Sequence, residues 1–202
     1  MNVFTERKSI RNYDANEKIS KETLTLILEE TLRAPSSMNM QPTRLVVIES
    51  DTYKEKLKPV LFGNQLQLET SSHMICLFTD LKKYEYAEKI YTTAYEQGIM
   101  PKDVMERQIR NITNMIDDLD LKQVERTGVF DGGLFAMQLM LVAKSHGYDT
   151  CPIGGFRHDM LAEVLDLDKD RYKPLLIISI GKANESGWAS IRLPLEDIVT
   201  YK

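Results

Sequence analysis

From Phe130 to Gly147 the chain reads FDGGLFAMQLMLVAKSHG, and no other stretch constrains its fold as tightly. Apolar residues occupy almost every side of the helix this segment would make, and Gly147 stops it. Such a helix needs cover nearly all round, at the centre of a core or against a second subunit. The rest of the chain can supply a core, since 202 residues with 43% hydrophobic content are enough for one.

Periodicity supplies the covering elements. After a short N-terminal helix, SKETLTLILEETLRA reads as an amphipathic helix opened by Ser20, with Leu24, Ile27, Leu28 and Leu32 at helical spacing and Pro35 limiting its far end. RLVVIES reads as a buried strand, and Asp51 is expected to cap the short helix after it. HMICLFT is a second strand, followed by a polar helical region from about 82 to 97 and a break over 98–102. Met105, Ile109, Ile112, Ile116 and Leu119 form one face of a further helix. CPIGGF reads as a glycine turn, with Cys151 ahead of a proline in a loop. His158 or Asp159 starts a helix, KPLLIISIG is a third strand, and GWASIRLPLEDIVTYK is an extended tail. Strands alternate with helices and no linker or repeat interrupts them, so one α/β or α+β domain spanning residues 1–202 is expected.

Composition excludes several classes. The net charge of −4 does not suit a nucleic-acid partner. No apolar run approaches a membrane span and MNVFTERKSI lacks a signal-peptide core, so a cytoplasmic protein without a membrane anchor is expected. Cys76 and Cys151 make no disulfide framework, and His73, His146 and His158 have no metal-ligand spacing, so no metal site is assigned.

Three short stretches carry possible chemistry. ERKSIR puts Arg7, Lys8, Ser9 and Arg11 within five positions, a set that suits a phosphate dianion, although short basic runs also end helices in solvent. PIGGF permits close backbone approach to a ligand and also makes ordinary turns. APSSMNMQP, residues 34–42, offers hydroxyls and carboxamides with no ionisable group. A loop satisfying its own backbone accounts for its prolines and serines but leaves Asn39 and Gln41 unexplained. There is no Walker motif, no dinucleotide fingerprint and no nucleophile elbow.

Taken in order, RKSIR, APSSMNMQP, GYDTCPIGGF and IRLPLEDIV resemble the nitroreductase family of flavin enzymes, from about residue 4 to the C-terminus. The resemblance implies an α+β fold with a central mixed β-sheet surrounded by helices, in an intertwined homodimer with FMN at each of two interfacial sites. It assigns Arg7, Lys8, Ser9 and Arg11 to the FMN phosphate and ribityl chain, joined by Arg192. Pro35, Ser36, Ser37 and Asn39 match the segment that the partner subunit presents to the flavin. Asn64 and Gln67 match a loop contacting the ring and ribityl groups, and Pro152, Ile153, Gly154 and Gly155 match the turn over one ring face. APSSMNMQP then becomes a neutral cradle for a neutral, polar-edged ring.

The chain departs from the family's pattern at several positions. Ser190 stands where a second basic residue is common, Gly154 where an acid is common, Thr43 where tryptophan is common, and Gln67 where lysine is common. These changes bear on the substrate more than on the cofactor. The implied activity is an FMN-dependent oxidoreductase that takes electrons from NADH or NADPH and reduces nitroaromatics, quinones or related acceptors by a ping-pong mechanism. No side-chain acid or base is required, so no catalytic residue is assigned. A specialised flavin oxidase or dehalogenase, and a flavin-binding regulatory or stress protein with little turnover, are the competing readings.

Overall fold

The structure is a computed structural model that describes residues 2–116 and 118–202. In chain order its elements are α1 (Val3–Glu6), α2 (Lys21–Thr31), β1 (Thr43–Ile48), α3 (Asp51–Leu57), α4 (Gln65–Thr70), β2 (His73–Asp80), α5 (Ala87–Glu96), α6 (Lys102–Ile116), α7 (Leu121–Ser145), β3 (Asp149–Ile153), α8 (His158–Val164), β4 (Tyr172–Gly181) and α9 (Leu195–Ile198).

The strands form one sheet in the order β1-β2-β4-β3, and all three pairings are antiparallel. The parallel component expected of a mixed sheet is confined, among the described residues, to an isolated bridge between Ser9 and Thr150. β2 is buried along its whole length, because both faces of the sheet are covered. Its side chains alternate between two cores. Met74, Cys76 and Phe78 pack with Leu57, Val60, Ile153 and Leu161, while Ile75 and Leu77 pack with Ile27, Phe135, Leu139 and Ala143.

α7 is the long apolar helix expected from the sequence, begun earlier, with Asp120 as its N-cap. Its backbone lies directly on the sheet. A Cβ added to Gly128 would overlap Thr79, and one added to Gly132 would overlap Leu175. A helical glycine costs about 1 kcal/mol relative to alanine, and here the close approach of helix to strand explains both residues. The far side of α7 leaves Val129, Phe130, Leu134 and Met137 between 42% and 63% exposed, an apolar face left largely uncovered by the described residues.

Several local expectations change. Ser50 caps α3 by accepting from the Tyr53 N–H, and Asp51 is the first helical residue. The face expected on α6 packs through Ile112, which is buried, and through half-buried Met105 and Ile109, whereas Ile116 is 42% exposed and Leu119 lies beyond the helix end. Leu32 is 63% exposed, because α2 ends at Thr31. Residues 149–153 form β3, so Cys151 is a buried strand residue and Pro152 a strand residue too. Proline is tolerated there because β3 is the last strand of the sheet. Pro174 stands in β4 where the pairing with β2 shifts register, beyond the reach of β3. No helix among the described residues is long and apolar enough to cross a membrane.

Candidate active site

The residues singled out by sequence fall into two groups at different corners of the sheet. The first is built on the N-terminal segment, which runs beside β3. The Ile10 N–H donates to Thr150 O (3.1 Å), next to the bridge between Ser9 and Thr150. In extended backbone, successive side chains point to opposite sides. Arg7, Ser9 and Arg11 are half-buried, whereas Lys8 is exposed and donates to Ser186 O (3.1 Å). Gly187 lies against Lys8 and Ile10. The four clustered residues therefore do not act as one set: the Lys8 ammonium is held at Ser186 O, whereas Ser9 and Arg11 lie beside Cys151 of β3, with Arg11 also against Trp188.

A continuous polar strip follows from there. The Cys151 thiol sits among Arg11, Gln67 and Ser9; burial raises its pKa, and the guanidinium and the two hydrogen-bonding side chains partly offset that. Gln67 is buried and donates to Asn64 Oδ1 (3.0 Å). Asn64 donates in turn to Phe62 O (2.8 Å) and, at 3.4 Å, to Gly155 O. The Phe62 N–H donates to Gly155 O (2.9 Å), which ties this loop to the glycine turn. Nothing lies within 4 Å of a Cβ built on Gly154, so the outer face of the turn is open. Ile153 is buried beneath it. At the opposite end, the Arg11 guanidinium lies 4.8 Å from the centre of the Trp188 ring and its backbone N–H donates to Glu185. Arg192 is exposed and, among the described residues, donates to Ser190 Oγ and the Ile191 carbonyl of its own tail and to no residue of this strip.

The second group is the loop from Pro35 to Pro42. Met38, Asn39 and Gln41 all have positive φ, at 53°, 54° and 46°. Each such residue costs about 1–2 kcal/mol when it is not glycine, so something must hold the loop. The Ser37 N–H and hydroxyl both donate to Asp131 Oδ1 at 2.9 Å, and the Tyr91 hydroxyl donates to Met38 O at 2.8 Å. Ser36 Oγ accepts from the Gln41 N–H, and Gln41 Nε2 donates to Asn39 O and Oδ1. Asn39 and Gln41, unexplained by sequence reasoning, are thus partners of each other. Pro35, Ser37 and Asn39 remain exposed.

Asp131 and Lys83 are the residues that sequence reasoning missed. Asp131 is 3% exposed, and its Oδ2 lies 3.9 Å from Nζ of Lys83, which is fully buried. Neither atom has a hydrogen-bond partner among the described residues. Burial lowers the Lys83 pKa, while Asp131 acts to raise it. The available signal was the single acid inside the apolar stretch FDGGLF.

Sheet register gives the separation of the two groups. Thr43, at the end of the loop, aligns through Thr79 with Lys173, whereas Thr150 aligns with Ile180. Ser9 lies about 23 Å further along β4 and about 19 Å across the sheet from Thr43, at ordinary strand rise and spacing. Beside the loop, a cleft of about 410 Å³ opens between Asn39, Gln41 and α5.

Residues 4–182 match the profile of the nitroreductase family. A Bacillus subtilis protein provisionally named NAD(P)H nitroreductase YdgI is 49% identical over 202 residues, covering 100% of this chain and 97% of its own. A provisionally assigned nitroreductase from Exiguobacterium sibiricum, crystallised in complex with FMN, aligns with a TM-score of 0.97 at 49% identity, covering 100% of this chain and 96% of that one. A provisionally assigned NAD(P)H:FMN oxidoreductase from Staphylococcus epidermidis aligns with a TM-score of 0.97 at 42% identity, over 99% of this chain and 94% of its own. The expected nitroreductase-like α+β fold is the fold of these neighbours. By sequence over most of its length and by fold over all of it, the chain belongs to the nitroreductase family.

Proposed function

We propose that this single-domain chain is an FMN-dependent oxidoreductase that takes electrons from NADH or NADPH and reduces small organic acceptors, nitroaromatics or quinones among them, by a ping-pong mechanism as a homodimer. The separation of the two groups of candidate residues supports this reading most directly. One FMN cannot span from Ser9 to the loop before Thr43 within a chain, because they lie on the order of 30 Å apart by register. A twofold pair of chains removes the difficulty if one supplies the strip and its partner the loop. The uncovered apolar face of α7 and the exposed tail, with Trp188, Ile191, Leu193 and Ile198, give such a pair something to bury.

The donor set of the strip fits FMN. Half-buried Arg7 and Arg11 with the Ser9 hydroxyl suit the phosphate, with Arg192 joining them only across the dimer. Lys8 acts through its backbone, since its ammonium is held at Ser186 O. Asn64 and Gln67 offer neutral carboxamides for ribityl and ring-edge groups, and Pro152 to Gly155 an open flat turn. Pro35, Ser36, Ser37 and Asn39 approach from the partner, braced from behind by Asp131. When bound, FMN supplies a two-electron carrier that serves donor and acceptor in turn. The chain's contribution is to orient: backbone N–H groups at Gly154 and Gly155 and the neutral loop fix the ring without an ionised side chain at its edge.

Purified protein is expected to be yellow, with about one FMN per chain of a closed dimer. Anaerobic NADH or NADPH oxidation with nitroaromatic or quinone acceptors is expected to give parallel double-reciprocal lines, and intersecting lines would reject the shared-slot mechanism. Turnover driven only by oxygen favours an oxidase, and bound FMN without turnover a regulatory protein. Refolding the inactive variants Arg11→Glu and Ser37→Glu/Asn39→Glu together should restore roughly a quarter of parental activity, because half the dimers then hold one intact composite site. No recovery despite heterodimers seen by mass spectrometry would place both groups on the same subunit's flavin.

A further inference from the structure

We infer that the cleft between the strained loop and α5 is a subsite for the anionic group of the acceptor, so that the favoured substrates carry a carboxylate or sulfonate on a compact apolar ring. This rests on the reductase reading above, because the cleft begins at Asn39 and Gln41 of the loop assigned there to the flavin. At about 410 Å³ it is the size of a small-molecule site. Ile90, Ala94 and Ile99 give it an apolar side, and Thr93 and Gln97 add neutral polar groups.

Charge carries the assignment. The cations lining the cleft are Arg44 and Lys89, and among the described residues no Asp or Glu lines it. Beneath it Arg44 lies over the Tyr86 ring at 4.6 Å and reaches Asp80 Oδ2 at 3.4 Å. Asp80 is fully buried and already binds Arg171 through both oxygens at 2.8 Å. Glu85 lies on the Arg171 side at 3.4 Å. Asp80 and Glu85 therefore balance Arg44 and Arg171 in sum, while Lys89 is exposed and has no ion pair among the described residues. In a chain of net charge −4, this leaves a locally positive, carboxylate-free cleft. A guanidinium held on an aromatic ring and by the Gln41 and Thr43 carbonyls, with an exposed ammonium, unpaired among the described residues, beside it, leaves the ammonium to take an anion on a flat body.

The test compares 4-nitrobenzoate with neutral 4-nitrobenzamide as acceptors for the FMN-loaded dimer, reading the ratio of their kcat/KM values. Using a ratio cancels changes in the flavin chemistry itself. In Lys89→Gln the ratio should fall roughly threefold to fivefold, as for a partly exposed ion pair, and in Lys89→Glu about tenfold or more. The parental ratio should also fall between low and high salt. An unchanged ratio in both variants overturns the inference. So does a loss confined to NADPH relative to NADH, which would make the donor's phosphate the anion that the cleft reads. If no acceptor supports NAD(P)H oxidation, the reductase reading itself fails, and calorimetric titration with 4-nitrobenzoate then decides the subsite. Binding to the parent and not to Lys89→Glu sustains it, and no binding to the parent overturns it.

Discussion

The two halves of the candidate site are held by opposite means. The loop from Pro35 to Pro42 has three left-handed non-glycine residues and is fixed from behind by a buried acid–lysine pair. The strip from Arg7 through Gln67 to Gly155 has no left-handed residue other than Gly63, takes its shape from pairing with β3, and is joined through its Asn64–Gln67 part by neutral hydrogen bonds. Strain needs a partner that resists it, and a carboxylate accepting two hydrogen bonds in low dielectric is stronger than a carboxamide chain. The loop's geometry is therefore set by residues distant in sequence. The strip's geometry is set by pairing and hydrogen bonds between extended segments, with no buried charge among them.

The largest effect that would break this contrast is at Asp131. Asp131→Ala removes the acceptor of both Ser37 donors and leaves Lys83 buried without its counter-charge, a loss of about 3–5 kcal/mol. For a chain this long the melting temperature should fall by roughly 6–20 °C. Adding Lys83→Met should recover much of it by removing the stranded charge. A single variant melting within a degree or two of the parent would mean that the pair does not hold the loop.

Arg11→Ala tests the other half. Stability should hardly move, while FMN affinity drops about tenfold to a hundredfold from one lost charge-assisted contact. Fluorescence titration of the apoprotein with FMN measures it, and parental affinity would remove Arg11 from the phosphate assignment. Smaller again is Met38→Gly, expected to stabilise by about 1 kcal/mol through relief of the left-handed backbone, less the entropy of glycine. Chemical denaturation reads it, and destabilisation would show that the loop is not strained at Met38. Trp188→Ala sits at the bottom of the scale. An exposed cation–π contact contributes about 0.5–1 kcal/mol, so a melting shift above a few degrees would mean that the tail holds the strip far more firmly than its exposure implies.

Legibility followed the same divide. The apolar stretch of α7, the three longer strands and the Ser20 cap were readable because periodicity and capping are local. β3 was not: five residues with a proline among them read as a turn, and only its position at the sheet edge makes Pro152 admissible. Side-chain alternation in RKSIR could have separated Lys8 from Arg7, Ser9 and Arg11, had the segment been read as extended rather than as a helix end. Lys83 carried no sequence signal, since its counter-charge Asp131 lies on α7, distant in sequence. Asn39 and Gln41 drew notice for a ligand when part of the reason was their bond to each other.

The glycine contacts under α7 have a further consequence. Gly128 and Gly132 bring the helix backbone down onto the side chains of Thr79 and Leu175, and Asp131 sits between them in sequence. Side-chain layers act as cushions, because rotamers absorb small changes in their neighbours. At Gly128 the contact runs down to Cβ of the stiff, β-branched Thr79, so the height of Asp131 above the sheet is closely fixed there. A methyl group added at Gly128 would lift the helix and carry the anchor of the loop with it, whereas at Gly132 the end of Leu175 can turn aside. Stabilising redesign therefore has least latitude at Gly128, where a change of one carbon becomes a displacement of Asp131 and of the loop it holds.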